Sequence, residues 1–349
     1  MGKYSEYLKG LWRPMLGLKD PPGFNCLNHN EAPFSPDYLN FPKINNLNLY
    51  PEPYYLYKKI AKYYNVSEEQ LLLTCGSEQG LRYVFDTFLD YGDKVIHPFP
   101  TFGMIEVFEY YRKANVIKHI YDDKLTIDIN NFSDTIDENT SLVYLANPDN
   151  PTGTAYSMED ISLILSKCSS NGVIFLLDEA YFYYYSLPTV ELIKEYENLI
   201  IVRSFSKAWG LAGARVGFII ANKAIIQLIR KQKPMDELNS LSIDICMKVL
   251  EKPGIIEKNV KHVNKWKNIF RVAKSPLKKY IETEGNFIMI KSRECERDEE
   301  VLKRNGILPR TFNEPCLKHC IRFSVTYDTI MEKIFTLLFG YKASMQKLE

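Results

Sequence analysis

Between Leu199 and Phe218 the chain reads LIIVRSFSKAWGLAGARVGF: four apolar residues, then Arg203, Ser204, Phe205, Ser206 and Lys207, then a glycine-containing run with Arg215 before its last glycine. That order describes a buried strand ending in a small polar loop. A lysine just past a strand end can be held in a cleft, where partial desolvation favours the neutral amine and makes it a nucleophile for an aldehyde. Ser204, Ser206 and Arg215 can hold an anionic group close by. The plain alternative is a solvated surface charge, the ordinary fate of most of the 44 lysines and arginines here.

Other residues of useful type recur where apolar runs end. Leu71 to Thr74 delivers Gly76, Ser77 and Glu78 to the start of a helix, where backbone N–H groups and the helix dipole favour a phosphate; a plain strand-to-helix turn fits the segment equally well. The DKVIH run (93–97) leads into PFPTFG, placing Phe102 to lie over a planar heterocycle or to pack in the core. Leu142 to Leu145 ends in ANPDNPTG, a loop from which Asn147 and Asn150 can present their amides. Val173 to Leu177 ends in Asp178, Glu179, Ala180 and Tyr181. An aldehyde bearing a phosphate, bound as a lysine Schiff base beside an acidic partner, describes pyridoxal phosphate.

The elements that must position these residues alternate. Helices are expected ending near Asn65, from Gly76 onward, over 104–114, 158–169 and 189–195, between strands of four to six apolar residues. This is the pattern of an α/β domain with a mostly parallel sheet covered by helices on both faces. In such sheets ligands gather at the carboxyl ends of the strands, where Gly76, Phe102, Asn150, Asp178, Tyr181 and Lys207 all fall. From about Pro234 the pattern changes to long helices (235–250 and 254–275), a strand at 286–290 and a further apolar run, CIRFSV, at 320–325, a smaller α+β domain. The expected division is an N-terminal arm (1–40) joining the small domain, a large domain (41–233) and the small domain (234–349).

Composition sets the outer limits. A 349-residue chain that is 46% hydrophobic has enough apolar content for an ordinary globular core. A net charge of +1, without a basic block, argues against nucleic acid as a partner. No apolar run has the length of a membrane span or signal peptide, and the seven scattered cysteines suit a reducing compartment, so the expected location is the cytoplasm. Cys316, His319 and Cys320 cluster without two further evident ligands, and no metal is expected.

With these motifs in fixed order, the chain resembles the fold-type I pyridoxal-phosphate enzymes, the class I/II aminotransferases, and among them the histidinol-phosphate aminotransferase branch. The likeness runs from NHNEAPFSP through YPEP, GSEQG, PTFGM, NPDNPTG, DEAY and SFSKAWGLAGARVGF to IRFSV. It implies Lys207 as the Schiff-base lysine and proton carrier, Asp178 as partner of the protonated pyridine nitrogen, and Asn150 and Tyr181 as partners of the phenolic oxygen. Ser204, Ser206, Arg215 and the N–H groups of Ser77 and Glu78 would meet the cofactor phosphate. Tyr50 would reach the phosphate of a neighbouring subunit, which implies a homodimer. Arg322 matches the arginine that grips a substrate α-carboxylate, and Arg310 resembles a second cation near the other anionic end, with a surface ion pair as its alternative. Phe102, where many relatives have tyrosine, and the bulky Trp209 depart from the branch's pattern. The implied activity is transfer of an amino group from an amino acid donor such as glutamate to a small phosphorylated oxo compound. Decarboxylation of a phosphorylated amino acid on the same scaffold is the alternative, and a non-enzymatic cofactor-binding protein is a third class that would not need the lysine, aspartate and arginine set.

Overall fold

The computed structural model describes residues 23–34, 36 and 48–340. Most of the expected N-terminal arm therefore lies outside the described residues. The described part begins with a short strand, β1 (Asn25–Cys26), followed by α1 (Tyr54–Tyr64), β2 (Leu71–Thr74), α2 (Gly76–Phe88), β3 (Lys94–Phe99), α3 (Met104–Arg112) and β4 (Asn115–Ile120). Next come α4 (Ile129–Asp134), β5 (Thr140–Ala146), α5 (Met158–Ser170), β6 (Ile174–Asp178), β7 (Leu199–Ser204), β8 (Gly217–Ala221) and α6 (Lys223–Ile229). The remainder holds α7 (Ser240–Val249), α8 (Gly254–Arg271), β9 (Lys278–Ile281), β10 (Phe287–Ser292), α9 (Cys295–Arg304), β11 (Ile307–Leu308), β12 (Arg310–Thr311), β13 (Cys320–Ser324) and α10 (Asp328–Phe339).

The large sheet has the order β2-β8-β7-β6-β5-β3-β4. Every pairing is parallel except those of β8, which runs against both β2 and β7. Its inner strands β5 to β8 are apolar on both faces because both are covered, whereas edge strand β4 is exposed or half-buried along its length. Val143, Leu145, Phe175, Leu177, Leu199 and Ile201 point into one core, while Leu142, Tyr144, Leu176, Ile200 and Val202 alternate into the other. That alternation decides which strand-end residues reach a cleft and which reach the opposite side.

Local chemistry ends the helices near where composition suggests. Asn65 closes α1 in the left-handed conformation that asparagine tolerates. Ser157 opens α5 through a capping box with Asp160. The stretch expected as a helix at 189–195 is instead a 3₁₀ segment, Thr189–Lys194, entered from Pro188.

A second sheet, β12-β13-β10-β9, is antiparallel throughout and packs with α8, α9 and α10 around Trp266, Phe270, Ile288, Phe323 and Phe335. The arm's β1 pairs in parallel with β11 beside it. Leu238, Ile243, Cys246 and Val249 belong to the large-sheet core, whereas Val263 and Trp266 belong to the small one. We propose on that packing that the small domain begins in α8 rather than at residue 234.

Candidate functional site

The carboxyl ends of β5, β6 and β7 open onto one cleft with about 640 Å³ of empty space, lined by Ser77, Glu78, Phe102, Asn150, Asp178, Tyr181, Ser206, Lys207 and Arg215 among others. These nine sequence candidates come together although more than 130 residues separate Ser77 from Arg215. A second cavity shares Phe102, Asn150, Tyr181 and Lys207 with the first and continues outward to Arg310 and Arg322. Together they form an inner and an outer half of one site.

The inner end is shaped for an anion. Helix α2 points its first N–H groups, unpaired within the helix, into the cleft at Ser77 and Glu78. Two glycines make the close approach possible. A Cβ on Gly217 would lie 2.5 Å from both the Gly76 carbon and the Ser77 nitrogen, and one on Gly76 would lie 2.5 Å from Arg215 Nη2. Arg215 itself sits at φ 52°, the left-handed region that costs a non-glycine residue roughly 1–2 kcal/mol, and its Nη1 donates to Ser206 Oγ at 3.5 Å. Helix N-terminus, serine hydroxyl and guanidinium thus converge on a pocket of phosphate chemistry.

Ser204 lies behind this pocket. Its hydroxyl accepts the Ser206 N–H at 3.0 Å, and it shapes the loop without lining the cleft. Tyr50 is 83% exposed and lines neither half of the cleft.

At the floor, Asp178 is buried and takes hydrogen bonds from two neutral donors, Tyr144 Oη at 3.1 Å and the Ala180 N–H at 3.0 Å. Burial pushes its carboxyl up to about 6, against the lowering effect of those hydrogen bonds and of Lys207. A buried carboxylate with only neutral hydrogen-bond donors suits a cationic N–H, the donor that a protonated pyridine ring presents. The neighbouring Glu179 goes to the opposite side of the strand, where it pairs with buried Arg203 at 2.7 Å. The Arg203 guanidinium lies 3.6 Å over the Phe182 ring.

Lys207 Nζ donates to the carbonyls of His29 and Asn30 at 3.2 and 3.1 Å and lies 5.3 Å from the Tyr181 ring centre. Arg322 is 4% exposed. Its Nη1 donates to Asn150 Oδ1 at 2.6 Å, and its guanidinium lies 4.8 Å from the Phe287 ring centre and 5.4 Å from that of Phe312. Arg310 is its direct partner across β12 and β13. Burial first, with the charge of Arg310, draws the Arg322 guanidinium down to about 10, so it remains a cation at neutral pH.

Several contributors carry no signal in the sequence. Asn30 donates to Tyr181 Oη at 3.0 Å from the arm. Asp149 accepts from Thr101 Oγ1 and Tyr121 Oη, each at 2.7 Å, tying the Phe102 loop to the Asn150 loop, and burial pushes its carboxyl up to about 7. Trp209, the bulky departure from the branch's pattern, is wholly buried between Phe205, Tyr63 and Tyr183 and lines neither half of the cleft. Among the described residues no cluster of histidine, cysteine and carboxylate side chains is arranged for a metal ion, and no helix is long and apolar enough to cross a membrane.

Residues 37–334 match the model of the family described as aminotransferase class I and II. The histidinol-phosphate aminotransferase of Thermoanaerobacter pseudethanolicus is 33% identical over 299 residues, covering 82% of this chain and 84% of that one. Among solved structures, histidinol-phosphate aminotransferase from Sinorhizobium meliloti, in complex with pyridoxal 5'-phosphate, superposes with a TM-score of 0.84 at 20% identity, covering 97% of each chain. L-threonine-O-3-phosphate decarboxylase from Porphyromonas gingivalis follows with a TM-score of 0.70 at 21% identity, covering 85% of this chain and 91% of that one. With a family match across most of its length and a lysine, aspartate and anion cradle in one cleft, the chain belongs to the class I and II aminotransferases and is a pyridoxal-phosphate-dependent transaminase.

Proposed function

We propose that the protein transfers the amino group of an amino acid, glutamate in the first instance, to a small phosphorylated oxo compound of the histidinol-phosphate aminotransferase kind. The observation that carries this reading is the pairing of Arg310 with Arg322 on the wall of the outer cavity. Like charges directly opposite each other across two antiparallel strands destabilise the fold, and an anion between or beside them offsets the repulsion.

The residues present fit pyridoxal phosphate. Ser206, Arg215 and the N–H groups of Ser77 and Glu78 would hold its phosphate, Asp178 its ring nitrogen, Asn150 and Tyr181 its phenolic oxygen, Phe102 its ring face and Lys207 its aldehyde. When bound, the cofactor supplies an electron sink for the pair left behind as an amino acid loses its α-proton. Lys207 takes that proton and returns it on the other side of the transfer. Asp178, as a carboxylate, keeps the ring nitrogen protonated. Arg322 holds the substrate α-carboxylate in a fork, which fixes the proton to be lost. Arg310, farther along the same wall, meets the distal phosphate.

The test compares acceptors in Arg310→Ala. One charge-assisted hydrogen bond is worth about 1.5–3 kcal/mol, so kcat/KM for a phosphorylated acceptor should drop roughly ten- to a hundredfold while an unphosphorylated one is nearly unaffected. Equal losses for both would remove the phosphate reading, and release of CO₂ from a phosphorylated amino acid would move the protein to the decarboxylase alternative.

We further propose a cytoplasmic homodimer in which exposed Tyr50 reaches the phosphate of the partner's site. No disulfide joins the seven cysteines, which suits a reducing compartment. Leu49, Tyr50, Tyr54 and Tyr55 form an exposed apolar run at the start of α1, which suits a subunit contact. Sedimentation as a fully active monomer would contradict the shared site.

A further inference from the structure

Asn30 stands where the arm meets both sheets. Its backbone carbonyl accepts from Lys207 Nζ at 3.1 Å and from Asn286 Nδ2 at 2.9 Å, and its amide nitrogen donates to Tyr181 Oη at 3.0 Å and approaches Asn150 Oδ1 at 3.5 Å. It is 1% exposed.

The direction of these hydrogen bonds follows from one residue that cannot accept. A guanidinium only donates, so the Asn150 atom 2.6 Å from Arg322 Nη1 must be the amide oxygen. The Asn30 atom facing that oxygen must then be a donor, its NH₂. The same NH₂ faces Tyr181 Oη, so the tyrosine oxygen accepts there and its own proton is left to point elsewhere. Both Asn150 and Tyr181 lie on the cleft wall with Lys207.

We propose that Asn30 is a positioning residue that holds the Tyr181 hydroxyl as a donor toward the cofactor's phenolic oxygen. Without it, the Tyr181 proton is free to turn away. Because a donor there stabilises the negative charge of the phenolic oxygen, it lowers the pKa of the lysine-linked chromophore. The inference rests on the cofactor reading above.

Backbone conformation alone does not account for an asparagine at this position. The residue adopts φ 54°, which asparagine tolerates better than most, but glycine serves that conformation with less strain. Its Oδ1 is buried and has no hydrogen-bond partner among the described residues, a cost to the fold that an apolar side chain would not carry.

The experiment is a double-mutant cycle read by the pH titration of cofactor absorbance in the holoenzyme. Asn30→Gly, which keeps the left-handed backbone, is measured in the natural background and in Tyr181→Phe. The expected result is an upward shift of the visible transition by about one pH unit in the natural background, on the scale of one hydrogen bond to a charged group, and no further shift once the Tyr181 hydroxyl is gone. An equal shift in both backgrounds, or none in either, would overturn the assignment. Asn30→Ala, which brings no charge, gives the same comparison between backgrounds if glycine leaves the arm undocked. A natural protein that takes up no cofactor, and so has no visible transition to titrate, would overturn the cofactor reading and this inference together, whereas a normal transition with an indifferent Asn30 overturns the inference alone.

Discussion

Replacing Asp178 by asparagine should stabilise the cofactor-free protein while disabling the enzyme. The carboxyl is buried, and its pKa moves from 3.8 to about 6 mainly through burial. A group with a raised native pKa binds more protons folded than unfolded, so stability falls as pH rises from about 3.8 through 6. A shift of about two units corresponds to roughly 3 kcal/mol lost by pH 7.5, at about 1.36 kcal/mol per unit. Asparagine carries no charge, can still accept the Ala180 N–H, and can donate to a Tyr144 hydroxyl turned to accept. Its net gain should be about 1–3 kcal/mol at pH 7.5, shrinking toward zero at pH 4. Urea unfolding of the cofactor-free natural protein and of Asp178→Asn, at both pH values, measures this as a difference in midpoint at constant slope. The variant should also lose most turnover, because a neutral amide does not keep the ring nitrogen protonated. An asparagine variant no more stable than the natural protein at pH 7.5, or equally more stable at both pH values, would refute the reasoning.

Gly217→Ala should raise the cofactor dissociation constant tenfold or more, because its Cβ would displace the α2 N-terminus from which Ser77 and Glu78 present their N–H groups; unchanged affinity in a fluorescence titration would argue against the cradle. Glu179→Ala should cost about 3–5 kcal/mol by leaving Arg203 charged and buried over Phe182, and a loss under about 1 kcal/mol in denaturant unfolding would show that the pair is not needed to keep that cation inside.

The parts of the site that were legible are those whose cause is local. A continuous apolar run followed by Gly76, Asp178 or Lys207 announces a buried strand and what stands at its end, since covering both faces of a sheet requires such runs. Direction is not written that way. Residues 217–221 read GFIIA, as apolar as the parallel strands beside them, yet β8 runs antiparallel because it returns directly from β7 through the Lys207 loop. The side of the sheet that each strand-end residue faces follows from alternation, which sends Asp178 to the cleft and Glu179 to Arg203. Asn30 was out of reach for a different reason: its role depends on Tyr181, 151 positions away, and on a polarity set by Arg322. The same holds for Asp149, whose partners Thr101 and Tyr121 arrive from β3 and β4.

The most direct test of the account is the identity of the lysine that carries the cofactor. Borohydride reduction of the holoenzyme followed by peptide mapping should place the label on Lys207 and nowhere else, and Lys207→Ala should take none. Buried Lys267, whose amine burial lowers to about 8, is the rival nucleophile that chemistry alone would offer, but it donates to the Thr283 carbonyl at 2.6 Å away from the cleft lining. Label on Lys267, or on any lysine other than Lys207, would contradict the assignment of the cleft as the active site.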